Sequence, residues 1–271
     1  MKEPLFSNTV IYDSGLVRIG AFRCDRAYPG FHDTGPAKND CFVFPRTAVK
    51  IEHEDAPPFV ATPNIVTFYN RSQRYRRHEI SDRGDRCDWF GIRRDIAIEA
   101  VGGQPGEAPF RSHRGRCDAK TYLLQRRLFD AVGNGKLRDR VAIEETVLLL
   151  LHRVVGGALP IPAERVHDVE ALLASRFDQE LSLCQIATDV GASPYHLCRM
   201  FREATGFAIH QYLRQLRIRH GLEFVCETAD PLDRIAVDLG FAHHSHFTSA
   251  FRRDFEITPL LIRNTRPEWK P

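Results

Sequence analysis

The sequence predicts an α+β chain: a β-rich N-terminal part folded as a sandwich or barrel, then helices, then an all-α C-terminal part with two helix–turn–helix motifs. Three observations carry this. Short β-branched and aromatic runs alternate with turn residues from the N-terminus to about Ile92. Two segments with helical apolar spacing follow, before residue 156. Beyond Glu164 a single helix–turn–helix pattern occurs twice.

The predicted strands are Thr9–Tyr12, Leu16–Phe22, Cys41–Phe44, Ala48–Ile51, Asn64–Tyr69 and Asp88–Ile92. Asp13-Ser14-Gly15, Tyr28-Pro29-Gly30, Pro57-Pro58, Thr62-Pro63-Asn64 and Arg83-Gly84-Asp85 separate them as turns. Strands this short and this closely spaced suit a sandwich or small barrel. The arginine-rich stretch Arg71–His78 suits pairing with a carboxylate or phosphate ligand, and equally a solvated loop or a face that touches DNA or polymerase.

Lys120–Val132 and Arg140–Val155 are the helices behind the strands. The run Val147–Leu151 is too apolar for the solvent-facing helix of a monomer, which predicts packing on both the strands and a second subunit, a homodimer through 140–155. Gly156-Gly157-Ala158-Leu159-Pro160-Ile161-Pro162 reads as a linker. The expected domains are thus 1–157 and 164–266.

Leu183, Ile186, Ala187, Asp189 and Gly191 recur 49 positions on, as Leu232, Ile235, Ala236, Asp238 and Gly240. Leu197, Phe201 and Arg202 return 50 positions on as Phe247, Phe251 and Arg252, because the second turn carries one more residue. A small side chain at Ala187 lets two helices cross closely. Gly191 and Gly240 sit where the chain leaves the first helix. Ser193 offers a cap and Pro194 fits the first helical position. In the second copy His243 occupies the cap position, a poorer choice. Leu197 and Phe201 turn inward, leaving Tyr195, Cys198, Arg199 and Arg202 outside, where such a helix faces a major groove. Similar turns occur in helical hairpins that touch no nucleic acid; two copies in matching register, joined by an amphipathic helix, are harder to explain that way.

On Leu183, Ile186-Ala187, Gly191, Ser193-Pro194, Leu197, Met200-Phe201-Arg202, Thr205-Gly206, Tyr212-Leu213, Leu216-Arg217, Ile235-Ala236, Gly240-Phe241, Phe247, Phe251-Arg252 and Thr258-Pro259, the stretch from about Val166 to Arg263 resembles the DNA-binding domain of the AraC/XylS family of bacterial transcription regulators. The resemblance implies a spacer helix over about Ile209–Thr228, burying Ile209, Tyr212, Leu213, Leu216, Leu222 and Val225. It places DNA contacts on Tyr195, His196, Cys198, Arg199 and Arg202 in the first motif. In the second they fall on His244, Ser245, His246, Thr248, Ser249, Arg252 and Arg253. Glu256 departs from the family by replacing a glycine, and Ser249 by replacing an often basic residue. The family layout also implies that the N-terminal part is a cupin-like barrel that senses a small-molecule effector. It further implies double-stranded DNA and RNA polymerase as partners and activation as the usual role. Phe22, His32, Phe42, Phe44 and Trp89 are the candidate effector residues, with Phe68 a further pocket candidate; all the aromatics suit a plain core equally.

Charge alone does not flag DNA binding. The chain is +3 overall, yet residues from Glu164 onward hold 13 Lys/Arg against 15 Asp/Glu. The useful cations are local: Arg199, Arg202, Arg252 and Arg253, with Arg214, Arg217 and Arg219 on the spacer. Arg217 reads equally as a structural bridge. Seven dispersed cysteines without a Cys-x-x-Cys pair, no apolar leader at residues 1–6 and no long apolar run predict a cytoplasmic protein with no membrane span. Isolated His32, His53 and His78 lack the His-x-His pattern of a metal cupin, so no metal, cofactor or catalytic residue is expected. The alternatives are a thiol- or metal-responsive regulator using Cys24, Cys41 and Cys87, a cupin enzyme with a helical tail, or a DNA-repair methyl acceptor; the last lacks clustered cysteines.

Overall fold

The computed structural model describes residues 4–54, 56–159 and 161–265. The chain forms two compact units that divide between Ile161 and Pro162.

Among the described residues the first unit holds ten strands: β1 (Phe6–Asp13), β2 (Val17–Cys24), β3 (Asp40–Pro45), β4 (Val49–His53), β5 (Ala56–Ala61), β6 (Ile65–Tyr69), β7 (Tyr75–Glu79), β8 (Asp85–Ile92), β9 (Arg114–Arg116) and β10 (Ala158–Leu159). Its helices are α1 (Arg94–Ala100), α2 (Ala119–Gly133) and α3 (Arg140–Val155). Seven strands pair in the order β1-β2-β8-β3-β6-β9-β10, and three in the order β5-β4-β7. Among the described residues the larger sheet ends on β1 and β10 and does not close on itself, so the expected closed barrel is instead two open sheets. The Asp13-Ser14-Gly15 turn joins β1 to β2, with the Gly15 amide donating to Asp13 Oδ1 at 2.9 Å.

Three segments read as turn, loop and linker are strands. Pro57-Pro58 lies in β5, which is an edge of its sheet, where a missing amide hydrogen is tolerated. The charged stretch Tyr75–Glu79 is β7, paired along its length with β4. Ala158–Leu159 of the expected linker pairs with β9, and Leu159 is buried in the core.

Side chains alternate across the large sheet. Phe22, Val43 and Trp89 join Val49, Ile51 and Phe59 of the small sheet in one apolar cluster. Phe42, Phe44 and Phe90 point the other way and form a buried stack, with Phe42 and Phe90 5.3 Å apart. The apolar run of α3 lies mostly inside its own unit: Val147, Leu150 and Leu151 are fully buried, leaving Val141 and Leu149 exposed. Burial of this run therefore needs no second subunit.

The second unit is all helix: α4 (Glu164–Ser175), α5 (Leu183–Asp189), α6 (Pro194–Thr205), α7 (Ile209–Glu227), α8 (Leu232–Asp238), α9 (His244–Phe255) and α10 (Pro259–Asn264). Ile186 and Ala187 are buried with Leu197 and Phe201, and Ile235 and Ala236 with Phe247 and Phe251, so the sequence repeat is also a packing repeat. Helix α7 is buried on every side from Ile218 to Glu223, as suits a central helix. Leu213, expected in its buried face, is only half-buried. No helix among the described residues is long and apolar enough to cross a membrane.

Candidate nucleic-acid interface and ligand cavity

Helix α6 is started by Ser193, whose Oγ accepts from the His196 amide at 3.3 Å, with Pro194 in the first turn. Leu197 and Phe201 are fully buried, which fixes the rotation of the helix and turns the opposite side out. Tyr195 is 80% exposed, and His196, Cys198, Arg199 and Arg202 are exposed with it. Arg199 Nε lies 3.7 Å from Glu203 Oε1, a loose surface pair that leaves the guanidinium available to another partner.

Helix α9 repeats this arrangement with weaker ends. His243 takes the cap position in extended backbone but caps nothing with its side chain. Phe247, Ala250 and Phe251 are buried, while His244, Ser245, His246, Ser249, Arg252 and Arg253 are exposed and Thr248 is half-buried. Thr248 Oγ1 and His244 Nε2 are 3.2 Å apart. The helix ends on Glu256 at φ 59°, where α6 ends on Gly206 at φ 78°. A non-glycine residue in that region carries a steric penalty.

Arg217 of α7 ties the two halves together. Its Nε donates to Phe177 O at 2.6 Å, and its two terminal nitrogens donate to Gly240 O at 2.8 Å and Gln179 O at 2.7 Å. Burial pulls its pKa down, against the attraction of Asp178. A Cβ on Gly240 would lie 2.5 Å from Asp178 O and 3.0 Å from this guanidinium, so close approach as well as φ 75° demands glycine there. Of the spacer cations counted from sequence as possible DNA contacts, Arg217 is consumed by this clamp and Arg219 is buried. Arg214 lies 3.3 Å from Asp254, whose pKa rises because burial outweighs the pull of Arg214.

In the first unit a cavity of about 360 Å³ is lined from both sheets, by Phe6, Val43, Ile51, Tyr69, Tyr75 and Trp89 among others. Of the candidate effector residues, Phe22 and Trp89 line it. Phe42 and Phe44 do not, because strand alternation sends them to the opposite face. His32 is exposed outside the cavity, with Nδ1 donating to Arg77 O at 3.0 Å. Phe68 stacks on Phe110 instead, 5.1 Å away.

The sequence reading missed the cavity's central polar group, Arg77. It is buried, pairs with Asp85 at 3.1 Å, and donates to Thr34 Oγ1 at 3.0 Å and Tyr75 OH at 3.1 Å. The Asp85 carboxylate raises the Arg77 pKa, while burial drives the Asp85 pKa up despite Arg77. The only signal in the sequence was alternation within a charged run. Cys41 and Cys87 line the cavity; Cys24 is buried apart from its wall. Burial pushes the Cys41 thiol up to about 12 and raises Cys87 and Cys24 too, so the three thiols are held protonated and unreactive. Among the described residues no group of three His, Cys, Asp or Glu side chains could hold a metal ion.

The C-terminal unit thus has the build of a helix–turn–helix DNA-binding protein. The helix-turn-helix domain family matches residues 186–265. Over 104 residues the chain is 38% identical to the Right origin-binding protein of Escherichia coli K12, covering 38% of this chain and 36% of that protein. Over 99 residues it is 34% identical to the regulatory protein SoxS of the same organism, covering 36% of this chain and 92% of SoxS. A crystal structure of an AraC-type transcriptional regulator from Chromobacterium violaceum shares 27% identity at a TM-score of 0.37, over 39% of this chain and 95% of that one. The chain belongs to the AraC/XylS family of DNA-binding transcriptional regulators. It spans little more than a third of the length of the Right origin-binding protein.

Proposed function

We propose that this protein is a sequence-specific transcriptional regulator that reads double-stranded DNA with two helices, α6 and α9, under the control of a small molecule held in the N-terminal unit. The observation that carries the reading is the matched pair of outward faces, Tyr195–Arg202 and His244–Arg253, on helices whose inward faces are buried at equivalent positions. Arg199 reads a base, since guanidinium pairs bidentately with guanine; Arg202, Arg252 and Arg253 hold phosphates. Tyr195, His196, Cys198, His244, Ser245, His246, Thr248 and Ser249 complete the two reading surfaces, each a helix–turn–helix motif.

The N-terminal unit is a cupin-like sensor opened into two sheets, and its cavity is of the size that takes a drug-sized ligand. Val141 and Leu149, exposed on α3, support a homodimer through that helix. The protein acts in the cytoplasm, as an activator that recruits RNA polymerase. Fluorescence anisotropy with DNA selected from a random pool tests the reading. Tight binding to the selected sequence, weakening steeply with salt and at least a hundredfold above a scrambled control, is the expected outcome. Equal binding to both DNAs would remove sequence reading from the assignment. Sedimentation of Leu149→Glu tests the dimer: the variant runs as a monomer where the parent chain does not.

A further inference from the structure

We infer that the N-terminal cavity takes an amphipathic anion, with its apolar body among the inner walls and its anionic group on Lys38 and Arg71 at the mouth. The inference rests on reading this unit as the effector sensor, and it names the chemistry of the effector.

A second space, about 330 Å³, adjoins the cavity. Its walls include Arg18, Lys38, Arg71, Arg93 and Arg94, with the buried carboxylate of Asp40 among them. Arg71 lines the second space only, whereas Arg18, Lys38 and Asn39 line both, so the apolar cavity and the basic cleft share a rim at these three residues. Three of its cations are already held: Arg18 by Asp13 at 2.8 Å, Arg93 by Asp95 at 2.7 Å and Arg94 by Asp40 at 3.0 Å. Among the described residues, the exposed side chains of Lys38 and Arg71 have no carboxylate partner.

These two charges are brought together by built structure. The Arg71 amide donates to Asp40 Oδ1 at 2.9 Å, and Ser72 N to Ala37 O at 2.8 Å. Ala37 N donates back to Gln73 O at 3.0 Å, so the segments carrying Lys38 and Arg71 are laced edge to edge. Ser72 holds φ 70° at this crossing, a conformation serine rarely adopts.

The interior offers no comparable charge. Arg77 is spent on Asp85, Thr34, Tyr75 and the Phe31 carbonyl, and Asn8 Oδ1 accepts from Trp89 Nε1 at 2.9 Å. A ligand therefore meets apolar and aromatic walls inside and unsatisfied positive charge only at the mouth. A neutral ligand leaves that charge unused, and a cationic one is repelled by it.

Two fluorescent dyes of one shape test this on the full chain: anilinonaphthalene sulfonate and its uncharged parent, phenylnaphthylamine. In the double variant Lys38→Ala/Arg71→Ala, affinity for the sulfonate falls about tenfold, the scale of a lost charge-assisted contact, and affinity for the uncharged dye holds. Ala61→Met, which narrows the interior, weakens both dyes. An unchanged sulfonate affinity, or an equal loss for both dyes, overturns the inference while leaving an apolar effector site standing. Failure of both dyes to bind the folded protein, or indifference of both to Ala61→Met, overturns the effector site as well. Inorganic sulfate that displaces the charged dye as well as an amphiphile does would reduce the mouth to a simple ion site and overturn the inference too.

Discussion

Arg199 is 61% exposed with only a loose tie to Glu203, so its guanidinium is free to form a new contact without breaking a strong one. Arg199→Ala is expected to lose about 1–3 kcal/mol on the cognate site and to relax preference at one base. An equal loss on unrelated DNA, read by anisotropy, would make Arg199 a phosphate contact instead. Cys198 and Cys184 are the exposed thiols, whereas Cys24, Cys41 and Cys87 are held protonated by burial. A water-soluble disulfide reagent should therefore label Cys198 and Cys184 first, and bound DNA should slow Cys198. Unchanged labelling of Cys198 in the complex would move that face off the DNA. At this scale the sequence was a good guide to the outward residues, because repeat positions and helical spacing decide them. It was a poor guide to Arg77 and Arg217, whose partners lie 40 or more residues away for several of their bonds.

Helix α9 is the less firmly terminated of the two proposed reading helices, with a cap that makes no side-chain hydrogen bond and a left-handed glutamate at its end. His243→Ser supplies the missing acceptor and should raise stability by about 1 kcal/mol. The denaturant midpoint of the helical signal in far-ultraviolet circular dichroism checks this, and no rise would mean the end of α9 is set by tertiary packing. Arg217→Met removes three donors from three backbone carbonyls and should destabilise the helical unit by on the order of 3 kcal/mol. Loss of stability under 1 kcal/mol by the same measurement would mean that water replaces the clamp. Elements with a period were legible: α2 and α3 lie within a residue or so of their expected bounds, and α7 matches the spacer that the family resemblance implies. Strand β7 was not, since its charges mask the alternation that buries Arg77, and β5 was hidden by prolines that only an edge strand accepts. The aromatic residues Phe42 and Phe44 were read as cavity candidates because a sequence does not say which face of a sheet a strand presents.

In the whole chain the cations of the helical unit are nearly balanced by acids, so DNA affinity must come from a few placed arginines and not from bulk charge. Replacing Arg202, Arg252 or Arg253 singly with alanine should reduce the salt dependence of binding by about one phosphate each and weaken all DNA sequences alike. An unchanged salt slope would take that arginine off the backbone. The succession of a strand-rich part, two helices and a repeated motif was readable from periodicity and turn chemistry, but β5, β7, β9 and β10 and the openness of the sheet were not, because these depend on which strands meet at the edges. The most direct test is selection of binding sites from random DNA, compared between the parent protein, Arg199→Ala and His244→Ala. Two blocks of base preference about 10 base pairs apart, one relaxed by each variant, are predicted. A single block, or a pattern that neither variant alters, would contradict the claim that α6 and α9 read DNA together.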